Sequence, residues 1–367
     1  MNYDSAFHYV ALTLVPGVGP VNAKTLISYC GSAVNIFQSK RQFLVKIPGI
    51  GDAIADAILD PEILHRAAAE MAFMEEHGIR CLTPPDTDYP QRLKHCVDAP
   101  VVLYYSGNAD LNAEKIIGVV GTRNSTEYGK SICEQLIEDL KEENILVVSG
   151  LAYGIDIAAH KACVKKNVAT VGVLAHGLDR IYPPGHKEIA KKMVMHGGLL
   201  TEFTSGNKPD KPNFPKRNRI VAGMIDALVV VETAENGGAI ITALLADSYH
   251  KDVMAFPGNV FNEFSAGCNQ LIKSNRASLI TSANDLLDMM CWKKSDLKKP
   301  VQRSLFIELD EEEKIVYDIL QNRSEIGIDE LSMLTAFTPS TLASHLLNLE
   351  FQGLITALPG KRFQIKV

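Results

Sequence analysis

The chain has 367 residues, of which 46% are hydrophobic and 22% charged, with a formal net charge of −6. That length exceeds one ordinary core and suits two or three domains. The acidic balance excludes nucleic-acid binding driven by overall basicity, so any such role has to rest on a local patch. The seven cysteines, Cys30, Cys81, Cys96, Cys133, Cys163, Cys268 and Cys291, are odd in number and show no CxxC spacing. They argue against a disulfide framework or a zinc site and suit a reducing cytoplasm. The start, Met1-Asn2-Tyr3-Asp4, lacks the basic opening of a signal peptide, and the apolar runs are strand-sized, so a cytoplasmic protein without membrane contact is expected.

Taken in chain order, the first signal is an internal echo. Pro16-Gly17-Val18-Gly19 and Pro48-Gly49-Ile50-Gly51 recur 32 residues apart, each ahead of a small-residue helix, Ala23 to Tyr29 and Ala53 to Leu59. Helix, glycine turn and helix make a helix-hairpin-helix, here paired in a SAM-like helical domain over 1–80. Two readings stand: backbone contact with a phosphate at a helix N-terminus, or a helical domain whose tight turns need glycine. Asp52 and Asp56, with Lys24 as the nearest base to the first turn, work against strong phosphate binding.

Residues 81–115 are Pro-rich and read as a connector into a short strand, Val101 to Tyr105. Beyond Lys115, short Val/Ile runs alternate with amphipathic stretches. Strands are expected at 116–120, 145–148, 169–174, 199–202, 227–231, 253–256 and 278–280. Helices are expected at 131–142, 158–165, 187–196, 240–250 and 269–274. Near-continuous apolar strands separated by helices predict a doubly wound, mostly parallel α/β sheet of Rossmann-like type over 81–292. Lys293 to Lys299, followed by Pro300, reads as part of a linker spanning 293–309. Helical patterns at 311–320, 328–335 and 339–351, then a strand at Gly353-Leu-Ile, a Pro359-Gly360 turn and a returning strand, predict a winged helix over 310–367. The last of its helices contains no Arg or Lys, so partner binding or a structural role suits it better than base readout.

Ligands of open α/β sheets bind beyond the carboxyl ends of the strands. The segments expected as loops there are Gly121-Thr122-Arg123, Ser149-Gly150, a third running from His176 to Pro183, Phe214-Pro215-Lys216-Arg217-Asn218-Arg219, and Asn236-Gly237-Gly238. Lys208 to Arg219 holds five basic residues against one acid, Asp210. Glycines 121, 150 and 238 offer helix-start amides, and Arg123, Arg217 and Arg219 offer guanidinium forks for phosphate. The aromatics Tyr153, Tyr182 and Phe214 interleave with these bases, as stacking on unpaired nucleotides requires. The bland alternative packs the aromatics and pairs the arginines with Glu202 and Glu232. Asp156 and His160, four apart on a helix, read as a helix-start acid and a satisfied histidine rather than a catalytic pair. With no GxGxxG after the first strand, no GxxxxGK[ST] and no convincing metal spacing, no cofactor, metal or catalytic residue is expected.

The strings VVGTRNSTEYG, VVSGLAYGIDIAAHKA, GVLAHGLDRIYPPGH, FPKRNRIVAG and AFPGN resemble, in order and spacing, the motifs of the DprA/Smf family of DNA-processing proteins. The resemblance implies a non-enzymatic single-stranded DNA binder that protects incoming DNA in natural transformation. It also implies loading of a RecA-type recombinase and a homodimer formed through the Rossmann-like domain. Carried over by motif, DNA contacts fall on Gly121, Arg123, Gly150, His160, Lys161, Arg217, Asn218 and Arg219, with Thr122, Ser149, Phe214, Lys216, Gly237 and Gly238 completing the expected site. Two departures touch the pocket rim: Asn236-Gly237-Gly238-Ala239 stands where the family has Ser-Gly-Ser-Leu, and Asn275-Arg276 where it tends to have glycine. The rival reading is a nucleotide phosphoribohydrolase on a related fold, but no glutamate follows Gly237-Gly238 within catalytic reach.

Overall fold

The two glycine turns come out as near copies. Gly17 and Gly49 both take left-handed backbone, at φ 82° and 83°, and Gly19 and Gly51 are extended N-caps of the helices that follow. The computed structural model describes residues 3–293, 309–321, 323, 325–352, 354–358 and 360–365. The chain divides into two compact units at Lys293/Lys294. The linker expected at 293–309 therefore lies, apart from its two ends, outside the described residues, as do Gly353 and Pro359 of the wing.

The first unit opens with helices α1 (Tyr3–Leu14), α2 (Pro20–Cys30), α3 (Ala33–Gln38), α4 (Arg41–Leu44), α5 (Asp52–Ile58) and α6 (Pro61–Glu76). Their core, including Leu12, Leu26, Ile36, Leu44 and Ile58, continues into Val101, Val102 and Tyr104 of the following segment. The helical region thus shares buried apolar surface with the sheet. Polar contacts reinforce this: the Glu70 carboxylate of α6 accepts from Ser205 N at 2.8 Å and from its Oγ at 2.5 Å. Lys24 is turned inward, with Nζ donating to Cys96 O at 2.7 Å and Val97 O at 3.0 Å. Asp52 and Asp56 are both engaged by Arg41. The charges flanking the two turns are therefore occupied within the chain.

Strands β1 (Arg80–Leu82), β2 (Leu103–Gly107), β3 (Lys115–Val120), β4 (Ile145–Ser149), β5 (Thr170–Val173), β6 (Gly197–Thr201), β7 (Ala227–Val230), β8 (Asp252–Ala255) and β9 (Ser278–Leu279) form one sheet, in the order β1-β2-β6-β5-β4-β3-β7-β8-β9. From β6 to β9 all pairings are parallel, and β1 and β2 add an antiparallel edge. The expected parallel sheet is present, and β4, β5 and β7 are buried along their whole length because helices cover both faces. Those helices are α8 (Glu127–Leu140), α9 (Ile155–Lys166), α10 (Lys187–His196), α11 (Asn213–Met224), α12 (Gly238–Ser248), α13 (Glu263–Lys273) and α14 (Ala283–Met289), with the short α7 (Gln91–Lys94) ahead of them.

Three sequence expectations need correcting. Residues 214–223, expected as a loop, form α11: Arg217, Ile220, Val221 and Met224 recur at helical spacing and are all buried, and Pro215 lies in the first turn, where a missing N–H costs no hydrogen bond. Helix α8 begins four residues early because the Thr126 side chain caps it by accepting from Gly129 N; α13 likewise starts early, at Glu263, capped by Asn262, whose side chain accepts from Phe264 N. The second unit contains α15 (Glu311–Gln321), α16 (Ile328–Thr335) and α17 (Pro339–Phe351), as expected. Its sheet has a short third strand, β10 (Ile326–Gly327), beside β11 (Ile355–Leu358) and β12 (Arg362–Ile365), and two residues are too few to show an alternating pattern.

Candidate nucleic-acid interface

Strand order reverses at β3, whose neighbours are β4 on one side and β7 on the other. The crevice beyond the carboxyl ends of β3 and β7 is where such sheets hold ligands. Here it is a cavity of about 300 Å³ lined by Gly121, Thr122, Arg123, Gly150, Phe214, Arg217, Asn218, Gly237 and Gly238, together with Ala152, Asp156, Ala234, Ile241 and Thr242. Most of the residues expected from sequence thus converge on one site. Helix α12 starts at its wall with Gly237 as N-cap and no side-chain cap, which leaves first-turn amides for a bound anion.

The positive charge is layered. Arg123 is exposed at the rim, its guanidinium 5.0 Å above the Phe214 ring. Arg217 lies below, only 6% exposed; its Nη1 donates to Val173 O at 2.7 Å, and Asp156 Oδ2 stands 4.0 Å from Nη2. Its Nε is buried without a hydrogen-bond partner. Burial pushes the Asp156 carboxyl up and the Arg217 guanidinium down, each partly offset by the other's charge. Gly150 is what lets Arg217 and Asp156 approach, since a Cβ there would run into both side chains. A second, smaller cavity adjoins, sharing Arg123, Phe214 and Arg217 and adding Tyr153 and Tyr182; the Tyr182 and Phe214 rings are 6.4 Å apart.

The expectation that Arg217 and Arg219 present exposed guanidiniums is wrong. Arg219 is 9% exposed and is held by the Asp98 carbonyl and the Glu202 carboxylate. Because 213–224 is a helix, Arg217 and Arg219 point about 200° apart. Arg219 and Lys216 line a different cavity of about 310 Å³, beside Val18, Gly19 and Pro20 of the first glycine turn. The alternative pairing is realised for Arg219 with Glu202. It is not realised for Glu232, which accepts from Thr126 N and Oγ1.

His160 does not reach the crevice either. Its side chain is fully buried in α9, with Nε2 donating to Gly150 O at 2.5 Å and Nδ1 2.7 Å from Thr170 Oγ1. Burial lowers its pKa to about 4, so the ring is neutral and supports the Gly150 loop from behind. The satisfied-histidine reading therefore holds. Ser149 is also beneath the site, its Oγ donating to Val119 O at 2.5 Å and tying β4 to β3. Lys161 is exposed on α9, roughly two turns beyond the helix start, and lines neither cavity. Asp156, Ala152, Ala234, Ile241 and Thr242 line the crevice without having been expected there; only Asp156, six residues after the strand-end Gly150, left a signal in the sequence.

Comparison with known proteins decides the family. Residues 80–291, which include the whole crevice, match the family of DNA recombination-mediator protein A. The chain belongs to the DprA/Smf family. Residues 9–60 also match the SAM-like helix-hairpin-helix tandem, and residues 305–361 the DprA winged helix domain. Protein Smf of Synechocystis is 31% identical over 99% of both chains. Among solved structures, DprA of Streptococcus pneumoniae superposes with a TM-score of 0.64 at 29% identity, covering 77% of this chain and 97% of that one. DprA of Helicobacter pylori, described for its single-stranded DNA binding mode, gives 0.53 at 26% identity, covering 58% of this chain and 95% of that one. The chain is thus a DNA-processing protein. Among the described residues no helix is long and apolar enough to cross a membrane.

Proposed function

We propose that the chain binds single-stranded DNA in the β3/β7 crevice and acts by binding, without catalysing a reaction. The observation that carries this reading is the buried Arg217, its Nε unpartnered, lining a cavity whose other walls include glycine backbone and a helix N-terminus. That is the donor set of a phosphate site. Gly121, Thr122, Gly150, Asn218, Gly237 and Gly238 would contact the backbone and Arg123 would engage it at the rim, while Phe214, Tyr153 and Tyr182 would accept unstacked bases. His160 and Ser149 would act by holding the loops, and Lys161, Lys216 and Arg219 would lie outside the first contacts. Against the phosphoribohydrolase alternative, Gly237-Gly238 is followed by Ala239-Ile240-Ile241-Thr242-Ala243, with no glutamate in the position such an enzyme needs.

By family membership we extend the proposal to protection of incoming DNA in transformation, to delivery of a RecA-type recombinase and to a cytoplasmic homodimer. The exposed Ile241 and Leu244, three apart on α12, and Val260 and Phe261 after β8 supply apolar surface for protein contacts. The deciding experiment is fluorescence anisotropy with labelled single-stranded and duplex oligonucleotides across a salt series. Preference for the single strand, weakening with salt and reduced by Arg123→Ala, is expected. Equal affinity for both, or indifference to Arg123→Ala, would reject the crevice as the site.

A further inference from the structure

The winged-helix unit holds a side-chain cluster that DNA processing in the first unit does not use. Asp310 Oδ1 accepts from Glu313 N at 2.6 Å at the start of α15, and Asp310 N donates back to Glu313 Oε2 at 3.4 Å. His345 comes from α17, and the candidate ligand atoms of Asp310, Glu313 and His345 all lie within 4.8 Å of one another. Glu313 is 5% exposed and His345 8%.

Helix capping accounts for the two carboxylates and leaves the histidine unexplained. Glu312 Oε2, 3.0 Å from His345 Nε2, can only accept, so Nε2 donates. The ring's other nitrogen, Nδ1, is buried with no hydrogen-bond partner. The nearby carboxylates are acceptors as well. A buried, unpartnered imidazole nitrogen beside two carboxylates is an environment a cation can complete. A histidine fixed by a carboxylate on its far nitrogen is also the outer arrangement found around metal-bound imidazoles. Glu313 is similarly fixed, since Asn348 Nδ2 donates to its Oε1 at 3.1 Å.

We propose that Asp310, Glu313 and His345 form a binding site for a divalent transition-metal ion of the zinc class, joining the start of α15 to α17. Two oxygens and one nitrogen leave a fourth position for water. The imidazole favours zinc-like ions over calcium or magnesium, which take oxygen ligands. Bonds of about 2.0 Å would bring the ligand atoms to about 3.3 Å apart, a closure within reach of side-chain rotation.

The test is calorimetric titration of the chelator-stripped full-length chain with zinc chloride, alongside Asp310→Asn, His345→Gln and Cys291→Ser. Asparagine still caps a helix, so Asp310→Asn keeps the fold and decides the question even where His345→Gln does not fold. One equivalent bound by wild type and by Cys291→Ser is expected, at least tenfold weaker in the other two variants, with a zinc-dependent rise in Tm in wild type and Cys291→Ser only. No saturable equivalent in wild type, undiminished affinity in Asp310→Asn, or loss in Cys291→Ser would overturn the site. Equal binding of calcium chloride would overturn its assignment to the zinc class.

Discussion

The β3/β7 crevice and helix α17 occupy the positions where their two folds ordinarily meet a ligand, yet they are furnished in opposite ways. The crevice gathers backbone amides, a rim arginine and a buried arginine within an acidic chain. Helix α17 stands where a winged helix reads DNA and carries no Arg or Lys; its inward face is Leu342, His345, Leu346 and Leu349. The difference teaches that fold type alone does not carry the DNA role. On the proposed reading it resides where positive charge and unsatisfied donors coincide.

Four measurements break or sharpen that contrast. The largest effect is expected from Arg217→Ala, which leaves Asp156 buried beside an empty space; such losses cost roughly 3–5 kcal/mol, so Tm falls well before any DNA is added. An Arg217→Ala chain as stable as wild type would mean the crevice floor is not a buried charged layer.

Acid comes next. The folded pKa of His160, about 4, lies below its usual 6.5 because burial disfavours the charged ring. The folded state therefore binds fewer protons between those values. Stability contributed by the neutral ring is complete above pH 6.5 and is lost as pH falls toward 4, by about 3 kcal/mol for this group. Denaturant titrations of wild type and His160→Gln between pH 7 and 4 should diverge in that window. Parallel curves would remove His160 from the supports of Gly150.

Arg123→Ala is expected to act on binding with little effect on stability, because the side chain is exposed. Single-strand affinity should fall about tenfold, or about 1.4 kcal/mol, and the salt slope should shallow by about 0.7. An unchanged slope would take Arg123 off the phosphate path. The smallest effect is expected from ending the chain at Lys293: single-strand affinity should stay within about twofold of wild type. A larger loss would restore the winged helix as a DNA-contacting element and erase the contrast.

Periodicity and motif strings alone determined the parallel sheet, the paired glycine turns, the three helices of the second unit and the convergence of Gly121, Arg123, Gly150 and Gly238. Strand ends in such a sheet have one place to go, and local patterning marks where they are. What the sequence could not settle was the direction of each side chain on α11. Read as a loop, FPKRNR offers every cation to solvent; wound as a helix, it sends Arg217 under the crevice and Arg219 toward Glu202. The same limit hid the meeting of Glu313 and His345, 32 residues apart in sequence and brought together only by packing of α15 on α17. Burial and pairing depend on contacts distant along the chain. The tertiary structure therefore decided which cations line the crevice, which hold the fold, and which histidine nitrogen is left unpartnered.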